Sequence, residues 1–250
     1  MNFQNRKRLI VQTVEERGSV EVQELAELLH TSEMTVRRDL VQLAAQGLVY
    51  RTRGGAMKVS AVTDAFRFEN KAAVNADQKD YICQLAAQTI QEGDILFMDC
   101  GSTVFRLCPF IRNRRITVIT NSLPVVAELI NSSVSVNLVG GEVDKDRQAV
   151  HGLIAEEHIA RYRANRAFIG VDGISLRKGL TANSEREAST AVAMARQAET
   201  TYLLCHSAKL ETEKYLYFAP LTLFDILITD NEARPDVVDA YRQAGVTVMN

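Results

Sequence analysis

Thr35-Val36-Arg37-Arg38-Asp39-Leu40 decides how the N-terminal part of the chain reads. At 100° per residue Val36, Leu40 and Leu43 fall on one side, while Arg38 lies opposite with Met34, Val41 and Gln42 spread around it. Such a helix buries its apolar side and aims an arginine at a partner. Upstream, residues 4–17 carry helical periodicity with Leu9, Ile10, Thr13 and Val14 on one side and Gly18 as the stop. A second short helix is expected from Val22 to Leu29, with Val22, Leu25, Ala26 and Leu29 at i, i+3, i+4 and i+7. Ser32 is placed to cap the next helix, its hydroxyl accepting from an orphan backbone N–H. Helix, helix, tight turn, helix is the helix-turn-helix order, and the last helix is sized for a major groove about 12 Å wide.

The residues that follow, Leu48-Val49-Tyr50-Arg51-Thr52-Arg53-Gly54-Gly55-Ala56-Met57-Lys58-Val59, have β-rich arms around paired glycines and read as a hairpin. Arg51, Arg53 and Lys58 on it would flank the helix as a wing on the phosphate backbone. Amphipathic three-helix units also mediate protein contacts, and a charged helix face is ordinarily just solvated. The wing beside an outward arginine is what favours double-stranded DNA as the partner. The expected contacts are Ser32, Met34, Thr35, Arg37, Arg38 and Gln42 from the helix, with Arg51, Arg53 and Lys58 from the wing.

Ser32-Glu33-Met34-Thr35-Val36-Arg37-Arg38-Asp39-Leu40, the Leu43 and Gly47 that follow, and Arg51 through Gly54-Gly55-Ala56 resemble the DeoR family of bacterial transcriptional regulators. The resemblance joins a recognition helix to its wing at fixed spacing.

At 250 residues with 46% hydrophobic content, the chain is long enough for a second domain with a proper core. Residues 1–58 hold nine Lys+Arg against seven Asp+Glu, net +2, leaving 20 against 24, net −4, for the rest. So weak a positive charge argues against strong nonspecific binding by one copy. Several copies sharing one operator, as a dimer or tetramer, would supply the affinity. The cysteines at 83, 100, 108 and 205 form no CxxC pair, and neither a signal peptide nor a long apolar span is visible. A cytoplasmic protein with free thiols and no membrane partner is expected.

The expected organisation is a winged helix-turn-helix at 1–58, a linker at 59–75 and an α/β unit at 76–250 in which strands and helices alternate around a largely parallel sheet. Helices are expected at 77–91, 104–110 and 123–130. Strands are expected at 95–98, 116–119, 134–139, 166–171, 201–204 and 226–228, and 246–249 is expected to close an edge. Ligands of open α/β sheets sit outside the C-terminal strand ends. The first exit, Asp99-Cys100-Gly101-Ser102-Thr103, offers a close backbone approach, two hydroxyls and a helix start, which is phosphate-binding chemistry but also an ordinary N-cap. Thr120-Asn121-Ser122, Gly140-Gly141, Asp172-Gly173 and His206-Ser207-Ala208-Lys209 follow later strands. Five polar or glycine exits, one with a lysine, favour a polar anionic ligand.

The resemblance extends to this half, which looks like the family's sensor domain: a Rossmann-like α/β fold similar to ribose-5-phosphate isomerase that binds phosphorylated sugars or related intermediates. It implies that Gly101, Ser102, Thr103 and Lys79 hold phosphate, with Asp99 at the same exit. It implies that Asn121, Gly140, Gly141, Asp172, Gly173 and Lys209 line the sugar end. Glu187 sits where the family often has an acid, but Glu185 and Glu187 read more simply as a solvated helix face. The family usually has an acidic residue at His206 and a serine at Ala208. His206 signals either a ligand with an extra acidic group or a histidine merely satisfied at a strand end.

Catalysis is not expected: isomerisation needs a carboxylate base with acidic and basic partners, and the isomerase resemblance implies a second aspartate shortly after Asp172-Gly173, where Ile174 and Ser175 stand. No cofactor or metal is expected either, since His151 and His158 lack ligand-spaced partners. The resulting expectation is a repressor of a carbohydrate-catabolism operon, switched by a phosphorylated sugar or sugar acid.

Overall fold

The structure is a computed structural model that describes residues 3–45, 48–52, 54–57, 68 and 72–250. The chain divides into two compact units, Met1–Arg67 and Phe68–Asn250.

The first unit contains α1 (Phe3–Arg17), β1 (Ser19–Glu21), α2 (Val22–Leu28), α3 (Glu33–Ala45), β2 (Tyr50–Arg51) and β3 (Gly55–Met57). Its core is the apolar side the periodicity indicates: Ile10 and Val14 from α1, Val22 and Leu25 from α2, and Val36, Leu40 and Leu43 from α3. Leu9 departs from the expectation and is 39% exposed. Gly18 ends α1 at φ +78°, a conformation that L side chains rarely adopt. The tight turn between α2 and α3 passes through His30 at φ +48°, with the Thr31 N–H closing back onto the Ala26 carbonyl at 3.0 Å. Two features escape the sequence reading. β1 pairs with β3, making the wing a three-stranded sheet in the order β1-β3-β2. Arg6 of α1 holds the buried Asp39 of α3 through two bonds of 2.6 and 3.1 Å, tying the first helix to the recognition helix.

The second unit begins ahead of residue 76. Phe68 meets Phe105 edge-on, ring centroids 5.1 Å apart, and the Ala72 carbonyl accepts from Arg106 at 3.3 Å. The remainder of the expected linker, 59–67 and 69–71, lies outside the described residues.

The central sheet of this unit has seven parallel strands: β4 (Ile95–Met98), β5 (Thr117–Thr120), β6 (Ser135–Leu138), β9 (Ala164–Gly170), β12 (Ala198–Leu204), β14 (Ile226–Ile228) and β15 (Thr247–Met249). Their order is β15-β14-β12-β9-β4-β5-β6. The chain starts in the middle, winds from β4 to one edge, returns to β9 beside β4 and winds to the other edge. The reversal between β4 and β9 is the topological switch point, where crossovers leave a crevice at the strand ends.

Alternating side chains feed two cores. Leu96, Met98, Phe168 and Leu204 face α4 (Ala76–Gln88), α5 (Ser102–Phe105), α6 (Cys108–Ile111) and α7 (Leu123–Leu129). Phe97, Ala167, Ile169 and Leu203 face α8 (Leu153–Ile159), α9 (Glu185–Ala195) and α10 (Pro235–Gln243). Burial on both faces explains why these strands read as continuous apolar runs.

The single helix expected at 104–110 is two short ones, because Pro109 supplies no N–H for an interior helical turn and opens α6 instead. A hairpin, β7 (Glu142–Asp144) with β8 (Ala149–His151), and an antiparallel sheet of β10 (Gly173–Ser175), β11 (Gly179–Ala182) and β13 (Leu216–Ala219) were not anticipated.

Candidate functional site

The recognition face of α3 is laid out by its cap and its core. The Ser32 hydroxyl accepts the Thr35 N–H at 3.3 Å and contacts the Thr35 hydroxyl at 3.0 Å. With Val36, Leu40 and Leu43 buried, Met34 is 80% exposed and Arg37, Arg38, Val41 and Gln42 all face outward, while Thr35 is half-buried. Arg37 is held one turn back by Glu33 at 2.7 Å. Arg38 makes no ion pair among the described residues. Of the wing cations, Arg53, Lys58 and the side chain of Arg51 lie outside the described residues, as does Gly47.

In the second unit, Asp99 organises the switch point. It leaves β4 buried, accepts the Gly101 N–H at 2.7 Å through Oδ1 and accepts the Gly170 N–H at 2.6 Å through Oδ2. One carboxylate thereby clamps the exits of β4 and β9 together. A Cβ at Gly101 would stand 2.8 Å from the Asp99 carboxylate oxygen, so any larger residue would displace the clamp. Burial pushes the Asp99 pKa up to about 6, against the two N–H donors and Lys209, which pull it down. From an ordinary 3.8 to about 6 in the fold, the group contributes stability that is fully present below 3.8 and lost as pH rises through 6. Asp99→Asn should remove that slope and also cost about 1–3 kcal/mol by presenting an amide N–H to a buried backbone N–H. Urea unfolding across pH checks both, and an unchanged pH profile would contradict the clamp.

Cations converge on the same place. Lys79, only 3% exposed, reaches across from α4 and donates to the Ser102 hydroxyl at 3.3 Å. Lys209, in the 3₁₀ turn Ser207–Lys209 after β12, donates to the Val171 carbonyl at 2.6 Å and acts electrostatically on Asp99. Two ammonium groups and a hydroxyl are thus gathered at the strand exits, an arrangement able to hold an anion. Thr103 is buried, and its carbonyl accepts from the Cys83 thiol at 3.1 Å.

The polar end lies beside it. Asn121 donates to the Val150 carbonyl at 3.0 Å, and its fully buried Oδ1 has no hydrogen-bond partner among the described residues. A buried acceptor left open is costly unless something donates to it, as a ligand hydroxyl can. The Cys100 thiol next to Asn121 is pushed up by burial and by Asp99 and Glu187, so it stays protonated and is no nucleophile. Glu187 is not on a solvated face: its side chain is 21% exposed and ion-paired with Arg147 from the β7–β8 turn. The solvated-face reading therefore fails for Glu187, and its partner Arg147 was not anticipated. Asp172 accepts the Asn183 N–H at 2.9 Å.

Other expected residues have structural work. Gly173 lets β10 approach Thr212, whose carbonyl would lie 2.4 Å from a Cβ. The Gly140 N–H donates to His158 Nδ1 at 3.1 Å, and Gly141, at φ +147°, packs under the His151 carbonyl. That glycine pair sits against α8 and β8 and not among the lysines. His151 Nδ1 meets the Thr190 hydroxyl at 3.0 Å. Among the described residues no group of three or more potential metal ligands converges, and no helix is long and apolar enough to cross a membrane. The four cysteines are free thiols.

A helix-turn-helix face joined in one chain to an α/β unit with a cationic crevice defines a DNA-binding regulator that carries its own sensor. Residues 6–62 match the DeoR-like helix-turn-helix domain and residues 74–231 the DeoR C terminal sensor domain. The HTH-type transcriptional regulator GlpR of Haloferax volcanii is 31% identical over 98% of this chain and 96% of its own. The lactose phosphotransferase system repressor of Streptococcus mutans is 31% identical over 92% of this chain and 93% of its own. Among solved structures, ribose 5-phosphate isomerase A from Methanocaldococcus jannaschii is similar over 56% of each chain, at 15% identity and a TM-score of 0.42. The chain belongs to the DeoR family of transcriptional regulators.

Proposed function

We propose that this regulator represses a carbohydrate-catabolism operon and is released from its operator by a phosphorylated sugar or sugar acid. The observation that carries the reading is the pair of lysines, Lys79 and Lys209, brought with Ser102 to the switch point of the sheet. Phosphate lies between Lys79, Lys209, Ser102 and the backbone at Thr103, the Gly101 N–H being held by Asp99. Asn121, Asp172, Cys100 and the Arg147–Glu187 pair face the sugar hydroxyls, and Asp99 holds the two exits at the right separation. The repressor names among the relatives agree with this reading.

No catalytic role is assigned. Beyond Asp172-Gly173, where the isomerase resemblance implies a second aspartate, Ile174 and Ser175 are both buried in β10. Operator DNA places the protein in the cytoplasm. A DNA-binding segment of net charge +2 gains affinity by sharing one operator between copies, so the working form is a homo-oligomer. The effector acts by its preference for the arrangement that fits DNA poorly.

The test is fluorescence anisotropy on a duplex selected from a random pool by the wild-type protein. Arg38→Ala should weaken binding by about 1–3 kcal/mol, roughly 5- to 150-fold, and relax base preference at one position. A sugar phosphate should release the wild-type complex. Unchanged affinity in the variant removes Arg38 from base reading, and indifference to every sugar phosphate removes the switch.

A further inference from the structure

His206 stands at the exit of β12 with 8% of its surface exposed. Its Nδ1 lies 3.5 Å from the Asn75 side-chain nitrogen. Asn75 occupies the N-terminal boundary of α4 at φ +54° and makes no side-chain cap. A residue type that ordinarily caps a helix thus turns its amide to the histidine instead. One helical turn on, the Lys79 N–H bonds back to the Asn75 carbonyl at 3.1 Å, and the Lys79 ammonium continues to Ser102. On the other side the Lys209 N–H bonds to the His206 carbonyl at 2.9 Å. His206 is therefore tied to the two elements that carry Lys79 and Lys209, and it lies within electrostatic reach of both ammonium groups.

The charged groups acting on His206 are Lys79 from α4, Lys209 from the 3₁₀ turn and Asp230 from the exit of β14. Asp230 is spent on backbone, accepting the Ser207 N–H at 2.6 Å and the Glu232 N–H at 3.2 Å. The two ammonium groups therefore outweigh it. Burial together with Lys209 and Lys79 brings the His206 pKa down to about 4, so the ring is neutral near pH 7. With Asn75 donating to Nδ1, the ring proton sits on Nε2.

We propose that His206 is a third cationic ligand of the effector's phosphate, taking a proton from solvent as the dianion enters between Lys79 and Lys209. This rests on the anion-site reading given under Proposed function. An incoming dianion reverses the sign of the local field, so the imidazolium becomes the favoured form. The Asn75 amide needs only to turn over to present its oxygen to the new Nδ1–H. Binding is then linked to proton uptake, and affinity for a doubly charged group rises as pH falls. A singly charged carboxylate neutralises one ammonium and gives little drive for the third cation. The site accordingly discriminates by charge number and not by shape alone.

Sulfate is the probe, because it stays doubly charged across the titration range of histidine. The C2–H resonance of His206 is followed against pH by NMR in the full chain, with and without sulfate, and assigned by its loss in His206→Gln. Sulfate binding is measured in parallel from the amide shifts of Gly101 and Ser102. The His206 midpoint should rise by about three pH units with sulfate, from about 4 to near 7. Sulfate affinity should gain about tenfold more in the wild type than in His206→Gln between roughly pH 7.5 and 6. Asp99 titrates in the same window, so the difference between the two proteins isolates the histidine. His206→Asn repeats the comparison with a shorter side chain. Amide shifts with an unmoved histidine, or identical pH profiles in the variants, overturn the role of His206 and leave the anion site standing. No amide shift at any sulfate concentration overturns the anion site and this inference with it.

Discussion

Gly55→Ala should abolish operator binding while leaving the sensor's response to its effector intact. Gly55 pairs with Glu21, joining β3 to β1, and a Cβ there would stand 2.0 Å from the Val20 carbonyl oxygen and 2.8 Å from the Glu21 Cα. Both obstacles are backbone, so no side chain can swing aside. Relief requires β1 and β3 to separate, which also strains the bond from the Val22 N–H to the Gly54 carbonyl, 2.7 Å. Overpacking against yielding neighbours costs about 1–3 kcal/mol, and an unyielding one puts this substitution at the top of that range or above it. A small domain has only several kcal/mol to lose. The check is thermal unfolding followed with operator binding. A variant that binds DNA like the wild type would show that the wing does not depend on β1.

The second large effect is at the switch point. Ser102→Ala combined with Lys209→Ala should leave operator affinity unchanged and remove the effector response. Each side chain offers phosphate a direct bond, and charge-assisted bonds contribute about 1.5–3 kcal/mol apiece. Losing both should weaken effector binding by about 100-fold or more. Lys79 remains as the only ammonium of the original pair. Isothermal titration with the effector and anisotropy with the operator separate the two readouts. A retained response would move the phosphate site elsewhere in the sensor.

What could be read in advance follows from the physics of each element. The recognition helix was legible because Val36, Leu40 and Leu43 repeat at helical spacing and Ser32 is a strong cap. The central strands were legible because burial on both faces leaves apolar runs, and the exits because a parallel sheet gathers them at one end. The three residues of β1 were not, since a strand that short has no periodicity and its partner lies far along the chain. Gly55 was read as a turn former, although its necessity comes from that distant strand. Arg6–Asp39 spans 33 positions and leaves no local trace.

At the sensor, Arg147 escaped, and Glu187 read as a solvated face for want of a partner, because the β7–β8 turn, Lys145-Asp146-Arg147-Gln148, has no glycine or proline and places Gln148 at φ +50°. In α8, Leu153 and Ile154 are exposed, which blurs its amphipathic pattern. The antiparallel sheet of β10, β11 and β13 is assembled from strands separated by a helix, β12 and the Lys209 turn, so no hairpin signal covers all of it.

The measurement that bears most directly on the central claim is a thermal-shift screen of the full chain against sugar phosphates and phosphorylated sugar acids, run beside the Ser102→Ala, Lys209→Ala protein. Selective binding to the native state raises the melting temperature in proportion to the logarithm of ligand concentration above Kd. The account predicts a concentration-dependent rise for one compound or a narrow chemical group of them, absent in the double variant. A panel that shifts neither protein, or shifts both alike, would contradict it.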